Sequence, residues 1–339
     1  MTGGADILRL DSVGVSVTTT GGTAELLRDV SFRVAPGEVV ALAGESGSGK
    51  STALLAALRL LAPGARVSGS IVVDGEDVVP MRGKRLRRFR AHTARMVFQD
   101  PWRALHPLHS IGRQLVESAR AADPTLSKAD ARALAADMLT RVGIPEPAAR
   151  LRAYPHEVSG GQLQRIVIAM ALVASPSLLL CDEPTTALDV TTQAQILELL
   201  QQLNSDLGLS IVIATHDLDV IADVADRLIV MYAGAVAEEG PTEQVMARPQ
   251  HPYTLSLLRA APDRRSGHQL AAIEGRPPSP LATITGCPFA PRCEHRRDVC
   301  ATAPITPAPL ADQPGRRSAC VRVTAGSAGA GRPIERTPV

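Results

Sequence analysis

Short apolar runs alternate with longer segments of helical spacing along the first 250 or so residues, which predicts an α/β fold. Strands are predicted at the apolar runs Leu8–Val17, Leu27–Val34, Val39–Ala43, Ser70–Val73, Met96–Phe98, Leu178–Cys181 and Ser210–Ala214. Helices are predicted at Ser51–Leu61, Lys84–Arg95, Gln162–Ala174 and Thr191–Asp206, and within Ile111–Leu151, where prolines break the pattern. The last two strands are too apolar to leave a face in solvent, so they favour a parallel sheet covered on both sides.

The pattern changes at residues 245–260, where proline becomes frequent and most of the cysteines follow. We predict a domain boundary there, between a main domain over residues 7–250 and an extension over residues 251–323. Residues 324–339 are rich in glycine, alanine and proline and are predicted to form a disordered tail.

Composition narrows the classes of function. A net charge of +2 and an aromatic content of 2% argue against a surface built to bind nucleic acid or to stack on bases. The longest apolar run, Ile166–Ala174, is well short of the ~20 residues that a membrane-spanning helix needs. Met1–Leu10 also lacks the apolar segment of a secretory signal. We therefore expect a soluble chain that reaches a membrane only through a partner.

A glycine-rich loop follows the strand Val39–Ala43 and precedes a helix. The segment Gly44-Glu-Ser-Gly-Ser-Gly-Lys-Ser51 has the spacing of a phosphate-binding loop, whose backbone N–H groups wrap around phosphate oxygens. Lys50 is predicted to neutralise phosphate charge and Ser51 to ligate Mg²⁺. A flexible linker is the alternative, but it would not predict a strand before the loop and a helix after it. The predicted ATP-binding residues are Gly44, Glu45, Ser46, Gly47, Ser48, Gly49, Lys50, Ser51 and Thr52.

Two carboxylates follow the buried strand Leu178–Cys181. Asp182 ends that strand, a position suited to a carboxylate beside nucleotide-bound Mg²⁺. Glu183 comes next and is predicted to be the general base that activates the attacking water. A structural strand with a solvated acidic end is plausible in isolation, but the loop that contains Lys50 makes it the weaker interpretation.

Four of the five cysteines, Cys287, Cys293, Cys300 and Cys320, lie in the C-terminal part. Four thiolates suit either a [4Fe–4S] cluster or a zinc site, and the spacing fits neither the close pairs common in zinc sites nor the usual ferredoxin runs. From spacing alone the two metals stay equally open, with plain buried thiols as a third alternative. Cys181 lies inside an apolar strand and is predicted to be core.

Further motifs, in a fixed order, give the chain a family resemblance. Val158-Ser-Gly-Gly-Gln162 resembles the signature motif of ABC-type ATPases. Gln99, Thr186-Ala-Leu-Asp189 and His216 resemble the Q-loop glutamine, the D-loop and the switch histidine of that family. The resemblance implies a P-loop NTPase core with an antiparallel β subdomain and an α-helical subdomain inserted at about residues 100–172. The small cysteine-containing extension follows that core.

The resemblance also implies roles for the motif residues. In such ATPases two nucleotide sites form only when two domains meet face to face, so Ser159 and Gly160 would contact the γ-phosphate held by the opposite subunit. The residues implied are Glu183, His216 and Gln99 in catalysis, Ser51, Gln99 and Asp182 at Mg²⁺, and Ser159, Gly160, Gly161, Gln162 and Asp189 across the dimer.

The C-terminal part resembles one branch of this family, the ATPases of peptide and nickel importers. The matching segments are His251-Pro-Tyr-Thr254 and Gly286-Cys-Pro-Phe-Ala-Pro-Arg-Cys293. This resemblance implies a [4Fe–4S] cluster on the four cysteines, with zinc as the alternative. It also implies two transmembrane permease subunits, an extracytoplasmic substrate-binding protein and a second ATPase, which would be a paralogue in a heterodimer or, as the alternative, a second copy of this chain. The chain would lie peripherally on the cytoplasmic face of the bacterial inner membrane, where Asp100–Ile111 would receive a permease helix.

Two other functions compete with peptide import. A non-transport ATPase acting on nucleic acid would find support in the basic stretch Arg82–Arg90, but such a stretch is more often a solvated helix face. Import of nickel or another small solute is the second, because the sequence does not name the cargo.

Overall fold

Two β-sheets form the framework of the computed structural model, which describes residues 5–186, 188–260, 273–302, 306–311 and 313–324. The first sheet is antiparallel, with strand order β2-β1-β4-β5. Its strands are β1 (Leu8–Thr19), β2 (Gly22–Val34), β4 (Arg66–Val73) and β5 (Glu76–Asp77). Alternating buried and exposed positions in β1 and β2 show that one face of this sheet is covered.

The second sheet has the order β11-β12-β10-β9-β3-β8-β7-β6. The five neighbouring strands from β9 to β6 run parallel, and β10, β12 and β11 are added antiparallel at one side. The strands are β3 (Val39–Ala43), β6 (Ala94–Val97), β7 (Leu178–Asp182), β8 (Ser210–Thr215), β9 (Arg227–Tyr232), β10 (Ala235–Pro241), β11 (Ala308–Pro309) and β12 (Arg317–Ser318).

Both faces of the parallel part are buried. Successive side chains of a strand point to opposite faces, so alternate residues belong to two different apolar cores. Val39, Ala41 and Ala43 face one apolar cluster, while Val40 and Leu42 face the other. The first cluster lies under the helical layer and the second against the antiparallel sheet. This arrangement confirms the buried parallel sheet that the apolar runs predict.

Helices cover the sheet and form a separate helical layer in which α4, α5 and α7 contact one another. The helices are α1 (Lys50–Ala57), α2 (Gly83–His92), α3 (Pro101–Ala104), α4 (Ile111–Ala122), α5 (Lys128–Arg141), α6 (Pro147–Arg150), α7 (Gly160–Leu172), α8 (Val190–Leu207), α9 (Leu218–Ile221), α10 (Thr242–Ala247), α11 (Pro252–Ala260) and α12 (Val321–Thr324). Among the residues that the structure describes, no helix combines the length and apolar character needed to cross a membrane.

The predicted extension is joined to the main sheet through β11 and β12, and a buried ion pair fixes the junction. Glu238 of β10 and Arg316 are both almost fully buried, with Arg316 Nη2 at 2.5 Å from Glu238 Oε1. The Glu238 carboxylate also accepts from the backbone N–H groups of Gln250 and His251 at 2.9 Å. These bonds satisfy a charge that would otherwise be very costly to bury.

The α/β fold class is confirmed, and the differences from the predicted elements have local causes. The predicted helix Ser51–Leu61 ends at Ala57, because Arg59 takes up a left-handed conformation with φ of 56°. The predicted helix Lys84–Arg95 ends at His92, because Ala94 onwards pairs with β7. The domain bounds stay predictions, and residues 325–339 of the predicted tail lie outside the described residues.

Candidate functional site

The candidate site lies where the parallel strands end. The glycine loop follows β3, Gln99 comes shortly after β6, Asp182 ends β7 and His216 follows β8. The carboxyl edge of a parallel sheet, beside helix N-termini, is the usual place for ligands in such folds. The fold therefore brings motifs that are far apart in the sequence together at this edge of the sheet.

Lys50 is buried at the first position of α1, directly after the glycine loop. Its side chain is held by two loop carbonyls, with Nζ donating to Gly44 O at 2.7 Å and to Glu45 O at 3.1 Å. Burial lowers the pKa of Lys50, while the nearby carboxylates of Glu183, Asp182 and Glu45 act in the opposite direction. An ammonium held by neutral carbonyls inside a glycine loop is well placed to meet phosphate oxygens.

The loop needs glycine at positions where a side chain has no room. Gly44 has φ of 152°, and an added Cβ would lie 2.3 Å from Met231 O. Gly49 has φ of 105°, and an added Cβ would lie 2.8 Å from Leu27 Cδ2. The loop is thus packed closely against β9 and β2, which fixes the direction of its backbone N–H groups.

The hydroxyl of Ser51 links the loop to the carboxylate strand. Ser51 Oγ donates to Asp182 Oδ1 at 2.8 Å. Burial raises the pKa of Asp182, and the hydrogen bond from Ser51 partly offsets that effect. A hydroxyl and a carboxylate at this separation supply two oxygen ligands of the kind that Mg²⁺ prefers.

Glu183 is the centre of the polar cluster. Three side chains converge on its carboxylate: Gln99 Nε2 at 3.1 Å, Thr186 Oγ1 at 2.9 Å and His216 Nδ1 at 3.3 Å. The Glu183 backbone has φ of 47°, a left-handed conformation that is unfavourable for this residue type, and its N–H donates to Ala214 O. Such strain at a polar edge points to a functional constraint on the side chain.

The signature-like segment forms a second, separate region. Ser159 caps α7 and shares a reciprocal pair of hydrogen bonds with Gln162 at 3.3 Å. Gly161 packs against α8, where an added Cβ would lie 2.8 Å from Thr192 Cγ2. Asp189 caps α8 by accepting from Thr192, and these hydrogen bonds lower the pKa of Asp189.

The structure therefore brings some predicted residues together and leaves others apart. The glycine loop, Asp182, Glu183, Gln99 and His216 share one edge of the sheet. In the described part of the chain, no hydrogen bond or ion pair joins Ser159 or Gln162 to that cluster. Ser159 is solvent-exposed at the N-terminus of α7.

Sequence reasoning missed Thr186 as a partner of Glu183, and it missed two contacts to Glu45. The Glu45 carboxylate pairs with both terminal nitrogens of Arg292, at 2.7 and 3.0 Å. The Glu45 backbone N–H donates to Tyr253 Oη at 2.8 Å. Arg292 and Tyr253 lie more than 200 residues further along the chain, so no local pattern could have linked them to the loop.

The four C-terminal cysteines line one pocket. Its wall also includes His251, Phe289 and His295, and its free volume is about 10 Å³. The backbone of Cys287 donates to Cys300 O at 2.7 Å, and an added Cβ at Gly286 would lie 2.3 Å from that same oxygen. Distant thiols are thereby brought to one place by close backbone contact.

The geometry of this pocket does not support the predicted metal site. Among the described residues, no group of three or more His, Cys, Asp or Glu side chains is arranged to hold a metal ion. Burial raises the pKa of Cys287 to about 11 and also raises the pKa values of Cys293 and Cys320.

Three of the six basic residues in the stretch Arg82–Arg90, which is the possible nucleic-acid surface, bond to groups within the chain. Arg85 pairs with Glu76 at 2.7 Å, and Arg90 Nε donates to Leu58 O at 2.7 Å. Arg82 donates to Val79 O and Met81 O. These contacts favour a structural role for α2 over a phosphate-binding one.

Two family models match the chain. The model described as ABC transporter matches residues 27–186, and the model described as oligopeptide/dipeptide transporter, C-terminal region, matches residues 237–300. The matched ranges contain the glycine loop, Asp182 and Glu183 in the first case and three of the four pocket cysteines in the second.

Curated relatives resemble nearly the whole chain. The dipeptide transport ATP-binding protein DppD of Bacillus subtilis is 46% identical over 297 residues, covering 87% of this chain and 88% of that protein. The oligopeptide transport ATP-binding protein OppD of Escherichia coli is 41% identical, covering 93% of each. OppD of Mycobacterium bovis is 44% identical over 93% of this chain, which spans about half (52%) of the length of that relative.

Solved structures support the same fold. A dimeric ATP-binding cassette in a post-hydrolysis state, bound to ADP and phosphate, has a TM-score of 0.62 at 29% identity and covers 69% of this chain and 98% of that one. The cbiO1 protein of Clostridium perfringens, described as part of an ABC transporter complex, has a TM-score of 0.62 at 31% identity. It covers 72% of this chain and 92% of that one.

Proposed function

We propose that this chain, which belongs to the family of ATP-binding proteins of ABC-type oligopeptide and dipeptide transporters, binds and hydrolyses ATP to energise peptide uptake. The proposed reaction forms a bond between a water oxygen and the γ-phosphorus and breaks the bond to the β–γ bridging oxygen, giving ADP and phosphate. The names of the relatives, and the match of both family models within one chain, support the peptide branch.

The observation that carries the proposal is the continuous polar path from Lys50 through Ser51 and Asp182 to Glu183. Lys50 lies among loop carbonyls, where phosphate oxygens would replace its present partners. Ser51 and Asp182 would hold Mg²⁺, which when bound offsets the negative charge of the phosphates. Glu183 is held in a strained conformation at the strand end, where it would accept a proton from the attacking water.

Gln99, Thr186 and His216 set the position of that base. All three contact the Glu183 carboxylate, so its oxygens are restricted in direction before a nucleotide arrives. Thr186 belongs to the segment that leads into the Asp189 cap of α8. Movement of that segment at a dimer interface would reach Glu183 directly, which ties hydrolysis to assembly in this proposal.

A substitution of Glu183 tests the catalytic assignment. Glu183→Gln keeps the size and most of the hydrogen bonds but removes the base, so we expect ATP binding to be retained and turnover to fall by about 10²–10⁴-fold. Glu198→Gln, at an exposed position of α8, is the matched control and should leave turnover unchanged. Near-normal hydrolysis by Glu183→Gln would rule out Glu183 as the base.

We also propose that the site is completed by a second ATPase domain. Ser159 is exposed at the N-terminus of the 13-residue helix α7. Within the described part of the chain it does not bond to the glycine loop, as expected of a residue that contacts the γ-phosphate held by the opposite subunit. A dimeric relative bound to ADP and phosphate gives this arrangement a precedent. We propose a paralogous chain as the second subunit.

The segment that follows Gln99 is proposed to dock a permease. Leu108 is 78% exposed and Trp102 is 52% exposed, which is unusual for large apolar side chains on one short segment. Buried Gln114 fixes the backbone beneath them by bonding to His106 O at 3.1 Å and His109 O at 2.9 Å. An exposed apolar surface on a fixed backbone suits a stable contact with a partner helix.

A charge introduced at this surface tests the docking proposal. Leu108→Asp should reduce co-purification of membrane subunits while leaving ATP binding intact, because Leu108 lies outside the polar cluster. Leu207→Asp, at another exposed leucine (42%), is the matched control and should retain the subunits. Full retention by Leu108→Asp would contradict the assignment. Docking here would place the chain on the cytoplasmic face of the membrane, with a substrate-binding protein on the opposite side.

For the cysteine pocket we propose a [4Fe–4S] cluster held by Cys287, Cys293, Cys300 and Cys320. The donor set supports this, because all four thiols line one pocket, although the free volume of about 10 Å³ means that they must spread to admit a cluster. Protein isolated without oxygen should contain iron and acid-labile sulfide, and Cys293→Ser should lose both. Equal iron in the variant, or none in the wild type, would refute the proposal.

A further inference from the structure

The glutamate of the phosphate-binding loop is held by the C-terminal extension. Arg292 faces Glu45 with both terminal nitrogens, at 2.7 Å from Oε2 and 3.0 Å from Oε1. Paired bonds of this kind are among the strongest and most directional between side chains. The Arg292 side chain is 4% exposed and the Glu45 side chain 26% exposed, so water screens the pair only in part.

A second contact fixes the backbone of the same residue. The Glu45 N–H donates to the hydroxyl of Tyr253 at 2.8 Å, and Tyr253 is fully buried. The Glu45 carbonyl accepts from Lys50 Nζ at 3.1 Å. The side chain, the N–H and the carbonyl of Glu45 are therefore all engaged, two of them by the extension.

Arg292 is itself held in place. It donates to the backbone oxygens of Ile273 at 3.0 Å and Glu274 at 2.8 Å, and to Tyr232 Oη at 3.1 Å. Its guanidinium carbon lies 5.8 Å from the ring centroid of Tyr232 and 5.9 Å from that of Phe289. An arginine with so many partners has little freedom to follow Glu45 if the loop moves, so the loop is positioned by the extension and not the reverse.

A carboxylate in this loop needs such a partner. Glu45 lies between Gly44 and Ser46, in the segment that would surround the phosphates of ATP. Without a counter-charge its carboxylate would repel those phosphates, and the repulsion would be strong because the site is partly shielded from water. Pairing with Arg292 neutralises this charge, which leaves Lys50 as the cation that the phosphates meet.

We propose that Arg292 and Tyr253 are positioning residues for the ATP site, through which the extension sets the affinity of the phosphate-binding loop for nucleotide. This inference rests on the proposed ATP-binding function. Neither residue touches the substrate in this account; both act through Glu45.

Substitutions at the ion pair test the inference in the purified full chain. Arg292→Gln leaves Glu45 charged and unpaired, so the Kd for Mg–ATP, measured with a fluorescent ATP analogue, should rise about tenfold, within the range typical of coupled sites. Glu45→Gln added to Arg292→Gln removes the unpaired charge and should return the Kd to within about threefold of the wild type. An unchanged Kd in Arg292→Gln, or a double variant as weak as Arg292→Gln, would overturn the inference.

A control and a second variant separate positioning from general stability. Arg317 lies in the same extension and pairs with Glu239 of β10 at 3.0 Å. It does not contact the phosphate-binding loop, so Arg317→Gln should leave the Kd for Mg–ATP unchanged. An equal loss in this control would mean that the extension only stabilises the fold. If Arg292→Gln does not fold, Tyr253→Phe decides the matter: a Kd about threefold higher supports the inference, and an unchanged Kd overturns it.

Lys50→Ala shows which proposal has failed. If the wild type binds no ATP, or Lys50→Ala binds it equally well, the nucleotide site itself is wrongly assigned. If Lys50→Ala abolishes binding while Arg292→Gln leaves it unchanged, the ATP site stands and only the role of Arg292 is wrong.

Discussion

The buried ion pair between Glu238 and Arg316 is predicted to hold the C-terminal extension on the main sheet. Glu238 is 0% exposed and the Arg316 side chain 1% exposed, so each ion depends on its partners and not on water. Arg316→Met keeps much of the buried side-chain volume but leaves the carboxylate without its counter-charge. Breaking a fully buried pair in this way typically costs about 3–5 kcal/mol.

The remaining contacts place the cost at the lower end of that range. Glu238 would still accept from Gln250 N and His251 N at 2.9 Å, so its desolvation would be partly compensated. We therefore expect a loss of about 3 kcal/mol, which corresponds to a roughly 10²-fold change in a local opening equilibrium. In the neighbouring pair, Arg317 is partly exposed (34%) and Glu239 also faces Arg227 at 3.8 Å, so loss of Arg317 should cost less, about 1 kcal/mol.

Hydrogen exchange followed by mass spectrometry measures this local effect. In Arg316→Met, the amides of Gln250, His251 and β12 should exchange about 100-fold faster, while those of β7 and β8 keep their wild-type rates. Arg317→Met is the matched control and should change little. The double variant Glu238→Gln with Arg316→Met should recover most of the protection, because no buried charge is then left alone. Exchange as fast in the double variant as in Arg316→Met would show that lost packing, and not charge, is the cause.

Two further predictions concern the nucleotide site. Ser51→Ala removes the hydroxyl that bonds to Asp182, so it should weaken ATP binding about tenfold or more when Mg²⁺ is present and much less in EDTA. Titration with ATP under both conditions measures the two losses, and equal losses would contradict the Mg²⁺ role. Gly161→Ala places a Cβ 2.8 Å from Thr192 Cγ2 and should weaken ATP-dependent dimerisation, which light scattering measures in the Glu183→Gln background. Adding Thr192→Ser removes that methyl group but keeps the hydroxyl that donates to Asp189, so it should restore the dimer.

The parts of the site that could be predicted from the sequence are those fixed by local spacing. Gly44–Ser51 is contiguous and lies between a strand and a helix, and Asp182 and Glu183 directly follow an apolar strand. In each case one short segment determines both the backbone conformation and the direction of the side chains. Their meeting follows from the topology, because parallel strands bring their carboxyl ends to one edge.

The contacts that could not be predicted join residues far apart in the chain. Glu45 and Arg292 are separated by 247 residues, and Glu238 and Arg316 by 78. No periodicity connects such positions, since the match depends on how the extension folds back on the sheet. Strand β10 was missed for a related reason: its buried glutamates, Glu238 and Glu239, resemble a polar turn until their arginine partners are known.

The C-terminal cysteines illustrate a different limit. Their number indicates a metal, and the fold does bring all four to one pocket, yet the thiols as placed are not arranged around an ion. Spacing fixes which donors are present but not the distances between them. Iron analysis, as described above, is the measurement that decides what they hold.

The central claim, that this ATPase acts as a subunit of a peptide importer, is tested most directly by affinity purification of the tagged chain from detergent-solubilised native membranes. Mass spectrometry of the co-purified proteins should identify two integral membrane permeases, a second ATPase and an extracytoplasmic peptide-binding protein. Recovery of nucleic-acid-processing proteins, or of no membrane protein at all, would contradict the claim.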